Sequence, residues 1–109
     1  MSKDKKKIAL LNDTLRRTFI GGRITQTRGV AALPEETREA VLTAVREFES
    51  FEPGDDPYGE HDFGAFTVDG TKFYWKIDYY DRTMEHGSED PADPSQTTRV
   101  LTIMLADEY

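Results

Sequence analysis

A histidine and a carboxylate are the residues of this sequence best suited to chemistry. His61 lies in the polar run Gly59-Glu60-His61-Asp62-Phe63-Gly64, and Asp78 lies opposite it if the intervening chain folds as a hairpin about Asp69-Gly70. A neighbouring carboxylate stabilises the imidazolium and can make a histidine a general acid or base. The pair could also bind a divalent cation with one further carboxylate from Asp55, Asp56 or Glu60.

Two other interpretations of this pair involve no catalysis. It can be a cross-strand ion pair that fixes the hairpin register, worth less than about 1 kcal/mol, or part of a binding surface. Lys76 argues against a metal, because its ammonium group competes with a cation for Asp78. The sequence has no nucleophile elbow, zinc-protease motif or phosphate-binding glycine loop. We therefore predict no catalytic residue, metal site or cofactor.

Acidic residues are concentrated in a connector, residues 52–58, and in a long polar loop, residues 81–98. The run Glu89–Pro94 resembles a calcium loop only in composition, because its spacing does not match DxDxDG. We expect His86, alone in this loop, to be solvated. A long loop in a compact domain is usually functional or disordered. Carboxylates spaced along an edge can imitate a phosphate backbone, although moderate negative charge can simply maintain solubility.

The element that positions these groups is a β-hairpin over Asp62–Tyr80. Asp-Gly between two β-rich runs predicts a two-residue turn, because both central residues must have a positive φ. Alternation then divides the side chains between two faces. The predicted core face carries Phe66, Val68, Phe73, Trp75, Ile77 and Tyr79. The predicted outer face carries His61, Phe63, Tyr74, Lys76, Asp78 and Tyr80.

Two helices and two further strands complete the predicted domain. Helical spacing predicts a first helix over about 6–19, ended by Gly21-Gly22, and a second from Leu33-Pro34 to Pro53-Gly54. A strand is predicted at Arg23–Thr27, followed by a break at Gly29, and the last strand at Arg99–Ala106. Because both faces of the last strand are apolar, we expect it to be central and covered on both sides. The predicted fold is α+β, with two helices packed on a small antiparallel sheet that contains a central β-hairpin.

Length and composition restrict the class of protein. The 109 residues suit one domain, with residues 1–7 frayed and 81–98 as a long loop. There is no cysteine, and no segment approaches the roughly 20 apolar residues of a membrane helix. The apolar run Ile8–Leu11 is too short for a signal peptide, so we expect a cytoplasmic protein. The formal net charge of -7 disfavours direct contact with nucleic acid and favours basic partners.

Several motifs occur along the chain: Leu11-Asn12-Asp13 with Arg16, Gly21-Gly22-Arg23, Thr27, Gly29-Val30, Ala32-Leu33-Pro34, Asp56-Pro57, Gly59–Gly64, Trp75–Asp81, Asp90–Pro94 and Arg99–Ala106. Through them the chain resembles a family of small bacterial proteins classed as a domain of unknown function. The resemblance covers Leu11 to Tyr109 and brings no known activity. It implies a stand-alone domain, often found on plasmids and phage-like elements.

The leading hypothesis is a non-enzymatic module that binds a basic, nucleic-acid-handling protein, such as a host defence nuclease, and inhibits it. The alternative is a small metal-assisted or acid–base hydrolase centred on His61 and Asp78. A third possibility is a homodimer formed through the outer face of Arg99–Ala106. The predicted binding residues are Glu60, His61, Phe63, Tyr74, Lys76, Asp78, Tyr80, Asp81, Glu89, Asp90 and Asp93.

Overall fold

A computed structural model describes residues 4–109 and shows an α+β fold, as predicted. Part of the segment predicted to be frayed, residues 1–3, lies outside the described residues, whereas Lys5 already begins a helix. The elements in chain order are α1 (Lys5–Thr18), β1 (Arg23–Gln26), α2 (Arg28–Ala31), α3 (Glu35–Arg46), β2 (Phe63–Val68), β3 (Thr71–Tyr80), β4 (Thr98–Leu105) and a 3₁₀ helix (Ala106–Glu108).

The hairpin has the predicted register. Val68 pairs with Thr71, and the pairing continues to Phe63 with Lys76. Asp69 and Gly70 have φ angles of 50° and 79°, as the two-residue turn requires. The predicted core face is also confirmed for Phe73 and Trp75, which are fully buried.

The sheet is mixed rather than antiparallel, with the strand order β1-β4-β3-β2, so the hairpin β2–β3 lies at one side of the sheet and not at its centre. β4 is central, as expected, but β1 runs parallel to it. The prediction of an antiparallel sheet was wrong for β1. Four elements, α2, α3, β2 and β3, separate β1 from β4 in the chain. No tight turn joins the two strands, so local sequence does not set their relative direction.

α1 is capped by Asp4 at its start and by Phe19, not by a glycine, at its end. Asp4 accepts a hydrogen bond from the Lys7 N–H at 3.1 Å at the start of the helix. At the other end Phe19 takes the left-handed conformation, with φ of 59°, and its N–H donates to the Leu15 carbonyl. The predicted Gly21-Gly22 cap is therefore wrong. Gly22 instead allows close packing, because a Cβ there would lie 2.6 Å from the Arg99 carbonyl oxygen.

The second predicted helix is shorter than expected. α3 begins after Pro34 as predicted but ends at Arg46, so Phe48 and Phe51 lie beyond it. Both rings still enter the core, where Phe48 packs edge-on against Phe51 and Trp75 at centroid distances of 5.1 and 5.5 Å. Apolar spacing predicts which residues are buried and does not show where a helix ends. Here Phe48 and Phe51 pack in the core although the helix has already ended at Arg46. Gly29, predicted to be a break, lies within the short helix α2.

The core lies between the helices and one face of the sheet. Its buried apolar residues are Leu15, Val30, Val41, Val45, Phe48, Phe73, Trp75, Ile77, Leu101 and Ile103. On the opposite, outer face, Val100 and Met104 of β4 are also buried within the chain. β4 is thus covered on both sides as predicted, which removes the exposed apolar face that the third possibility, a homodimer through β4, required.

Candidate functional site

The structure separates the predicted binding residues into three groups. Glu60 and His61 lie beside α1, on the helix side of the sheet. Asp81, Glu89, Asp90 and Asp93 lie in the loop between β3 and β4. The remaining five share the outer face of the sheet: Phe63, Tyr74, Lys76, Asp78 and Tyr80.

The predicted pairing of His61 with Asp78 is wrong. β2 begins only at Phe63, and His61 has a φ of 55°, which turns its side chain away from the outer face. Its Nδ1 lies 3.0 Å from Oδ1 of Asp13 in α1, and its ring stacks on Phe51 at 3.8 Å. Asp78 instead pairs with Lys76 at 3.0 Å. The extrapolated register failed because one left-handed residue ends the alternation of side chains.

His61 connects the acidic connector to α1. Its backbone N–H donates to Oδ1 of Asp56 at 3.1 Å, and its Nε2 lies 3.8 Å from Oδ2 of the same residue. Asp13 also accepts a hydrogen bond from Arg16 at 3.1 Å. Both ring nitrogens of His61 therefore face carboxylates, and the arrangement holds the connector against the helix.

Arg16 is a buried cation that caps α3. Its Nη1 donates to the carbonyls of Val45 and Arg46 at 2.9 and 3.2 Å, which are carbonyls of the last helical turn. Its guanidinium lies over the rings of Phe51 and Trp75. Burial lowers the pKa of Arg16 below its ordinary value, although an arginine remains charged at neutral pH.

A second buried network joins α1 to the loop after β3. Asn12, which is fully buried, donates to the carbonyl of Glu60 at 3.0 Å and to the Tyr79 hydroxyl at 2.8 Å. Its Oδ1 accepts from Nε of Arg99 at 2.8 Å, and Arg99 also donates to the Pro91 carbonyl. Tyr79 in turn donates to the Glu60 carboxylate at 3.0 Å. The network fixes the connector and the loop relative to α1.

Burial shifts the protonation equilibria of two members of this network. It raises the pKa of the Tyr79 hydroxyl well above its ordinary value, so the hydroxyl stays protonated. Burial also lowers the pKa of Arg99. Sequence reasoning did not select Asn12, Arg16 or Arg99 for these roles. A signal was present, since Ile8, Asn12 and Arg16 recur at four-residue spacing on the buried face of α1.

The outer face carries an aromatic cluster. Phe63 and Tyr74 have ring centroids 5.2 Å apart, and Tyr109 lies 6.0 and 5.5 Å from them. Tyr109 is 74% exposed and was not predicted to belong to this surface. The hydrogen bond to Asp78 raises the pKa of Lys76. The cluster therefore lies beside a pair of opposite charges on the part of the outer face that β2 and β3 form.

The long loop is organised by its own acidic side chains. Asp81 accepts from the hydroxyl and N–H of Thr83, and Asp93 accepts from the hydroxyl and N–H of Ser95. These hydrogen bonds lower the pKa of both carboxyl groups, so both are charged at neutral pH. The loop borders an open cleft of about 400 Å³, lined by Asp81, Arg82, His86, Gly87, Glu89, Ser95 and Gln96.

Acidic residues are gathered at one end of the sheet. Residues 47–62 carry seven of them and residues 78–97 carry six, against the single basic residue Arg82. The two segments meet there because β2 begins, β3 ends and β4 begins at this end. We call the two segments together the acidic end. Six of its carboxylates belong to exposed residues: Glu47, Glu49, Glu52, Asp55, Glu85 and Glu89.

The pKa of Asp62 is shifted both by burial and by the neighbouring carboxylates of the acidic end. Burial raises its pKa, and repulsion from Glu60, Asp56 and Asp78 raises it further. The basic start of α1 lies nearby, since Nζ of Lys5 is 5.6 Å from the ring of Tyr58. The lysines Lys5–Lys7 at this helix start, together with Lys76 and the buried Arg99, offset only part of the thirteen negative charges.

The site offers charge and aromatic surface, and its polar groups are largely engaged with one another. Within residues 4–109, no group of three or more His, Asp or Glu side chains is arranged to hold a metal ion. The same part of the chain contains no helix long and apolar enough to cross a membrane.

Comparison with known protein families assigns the chain to one of them. The chain belongs to the family described as "Protein of unknown function (DUF3768)", which matches residues 26–108. No curated protein and no solved structure matches the chain. The match excludes α1, although Asn12, Asp13 and Arg16 of that helix contact residues inside the matched region.

Proposed function

We propose that this protein is a non-enzymatic binding module whose acidic end engages a basic surface on a partner protein. The observation that carries the proposal is the meeting of residues 47–62 and 78–97, with thirteen carboxylates and one arginine, at one end of the sheet. A concentrated field of one sign attracts a surface of the opposite sign and accelerates its association.

The acidic end is also held in a fixed shape. The Asn12 network secures Glu60 and Pro91, and His61 secures Asp56. These hydrogen bonds fix the backbone that carries the exposed acids, so the two segments lose less conformational freedom on binding than mobile loops would, which favours affinity. Asp81 and Asp93 point in directions set by their own turns.

The spacing of the carboxylates at the acidic end also suits one kind of basic partner. A basic surface shaped for a phosphate backbone is complementary to fixed, spaced carboxylates. We therefore infer a nucleic-acid-handling protein, such as a host defence nuclease, that is inhibited because its nucleic-acid surface is occupied. The implied setting is a bacterial mobile element, and the aromatic cluster on the adjacent outer face would supply apolar contact.

The alternative hydrolase centred on His61 and Asp78 is not favoured. Those two side chains lie on opposite sides of the sheet and have other partners, Asp13 for His61 and Lys76 for Asp78. An imidazole whose two nitrogens both face carboxylates serves to hold the connector in place.

The proposal is tested by capture on the immobilised protein from a nuclease-treated lysate of a bacterium that carries plasmids or phage-like elements. We expect basic nucleic-acid-binding proteins to be retained at low salt, released as salt rises, and displaced by duplex DNA. A neutral polymer at the same concentration is the control competitor. Capture that is insensitive to both salt and DNA would contradict the proposal.

A further inference from the structure

β2 forms an open edge of the sheet with unused backbone groups. Its residues bond alternately to β3, starting from the pair Val68 and Thr71 that closes the turn. Phe63, Ala65 and Thr67 therefore direct their N–H and C=O groups away from β3. Across residues 4–109, these six backbone groups make no hydrogen bond to any loop or side chain.

This edge lacks the features that normally prevent strand addition. The segment FGAFTV has no charge and no proline, and it is six residues long. The other edge of the sheet, β1, has four residues and carries Arg23. Of the two opposite edges of the sheet, β2 is the longer and carries no charge, so β2 is the edge suited to pairing.

We infer that β2 pairs with β2 of a second copy of this chain, antiparallel about a two-fold axis at Ala65. In this register Phe63 of each copy faces Thr67 of the other, and Ala65 faces itself. The three pairs form six backbone hydrogen bonds and join the two sheets into one of eight strands. Such an interface uses the same patch on both copies, as two-fold symmetry requires.

The side chains of β2 suit this register. Phe66 of one copy lies opposite Gly64 of the other, so the largest side chain meets the smallest residue. Ala65 at the axis is small enough to face its own copy. Gly64 itself has no room for a side chain, because a Cβ there would lie 2.3 Å from Nε1 of Trp75. A strand of unrelated sequence would not in general place a small residue opposite Phe66 and another opposite Ala65, so these contacts favour a second copy of β2 as the partner strand.

The self-pairing rests on observations other than those behind the proposed binding function, although Phe63 belongs both to β2 and to the aromatic cluster. It uses the open edge of β2, whereas the partner surface is the acidic end. Two copies with a net charge of -7 each repel one another, so self-association strengthens as salt rises. Binding of a basic partner weakens under the same change, which allows the two ideas to fail separately.

The test uses single-cysteine variants, because the chain has no cysteine of its own. In the proposed register the Cα atoms of Ala65 in the two copies are about 5.5 Å apart, within the range of a disulfide. The matched control is Thr67→Cys on the same strand. Its two copies are offset by four residues, roughly 14 Å, and cannot be bridged.

We expect Ala65→Cys to form a disulfide dimer in a glutathione redox buffer at least about tenfold faster than Thr67→Cys. We also expect a mixture of Phe63→Cys and Thr67→Cys to form the mixed dimer. Sedimentation of the unmodified protein should show a dimer whose fraction rises with concentration and with salt. Equal cross-linking of Ala65→Cys and Thr67→Cys, or a monomer at every concentration, would overturn the inference.

Discussion

Asn12 connects three parts of the chain through a single amide group. It donates to Glu60 and Tyr79 and accepts from Arg99, and its side chain is fully buried. No apolar side chain can replace these contacts. The role of such a residue is visible only when sequence-distant partners are brought together, which is why its position on α1 alone did not predict it.

We predict that Asn12→Ala lowers the free energy of unfolding by about 2–4 kcal/mol, because it leaves Nε of the buried Arg99 and the carbonyl of Glu60 without their hydrogen-bond partner. Urea unfolding followed by circular dichroism measures the change. Thr14→Ala, exposed on the same helix, is the matched control and should change stability by less than about 0.5 kcal/mol. Equal effects of the two substitutions would contradict the network's role.

Asp62 gives a prediction for pH. Its pKa in the folded state lies above that in the unfolded state because of burial and repulsion from Glu60. The folded state therefore binds the proton more tightly, and the contribution of Asp62 to stability falls as pH rises through its folded-state pKa. Asp62→Asn removes this loss.

We expect Asp62→Asn to be more stable than the unmodified protein at pH 7, with the difference shrinking as pH falls toward 4. Urea unfolding at several pH values measures it, and Asp55→Asn, at an exposed position, is the control. A difference that is constant with pH would show that ionisation of Asp62 is not its cause.

At the scale of elements, the features that were predicted correctly are those that neighbouring residues in the chain determine. The Asp69-Gly70 turn set the hairpin register, and the apolar faces of the last strand placed β4 at the centre. The parallel direction of β1 and the end of α3 at Arg46 were not predictable in this way. Both depend on packing between segments that are distant in the chain.

The seam in which β2 packs against Trp75 of β3 and against Phe48, which follows α3, depends on Gly64. A Cβ at this position would lie 2.3 Å from Nε1 of Trp75 and 2.7 Å from the Phe48 ring. We predict that Gly64→Ala destabilises the protein by about 1–3 kcal/mol through overpacking, measured as a fall in the urea midpoint. Gly54→Ala is the control, since nothing lies within 4 Å of its Cβ. A neutral Gly64→Ala would mean that the seam has spare space.

At the scale of the molecule, the topology concentrates a charge that the sequence only distributes between two segments. The connector and the loop are separated by a hairpin in the chain, yet they meet because β2 and β4 both begin where β3 ends. The sequence could therefore predict two acidic segments. Their union required the strand order, and their fixed shape required Asn12 and His61.

The most direct test of the acidic end compares two variants of equal charge. The first, Glu52→Gln/Asp55→Asn/Glu89→Gln, neutralises three exposed acids of the acidic end. The second, Glu35→Gln/Glu36→Gln/Glu39→Gln, neutralises three exposed acids of α3. Both lose three negative charges, so the comparison holds the net charge constant and changes the place where charge is lost.

The measurement is the dissociation constant for a captured basic partner at low and high salt. We predict that the acidic-end variant binds at least about threefold more weakly than the α3 variant at low salt, from three exposed charges worth about 0.2–1 kcal/mol each. The difference should disappear at high salt. Equal weakening of both variants would show that only net charge matters and would contradict a defined acidic binding surface.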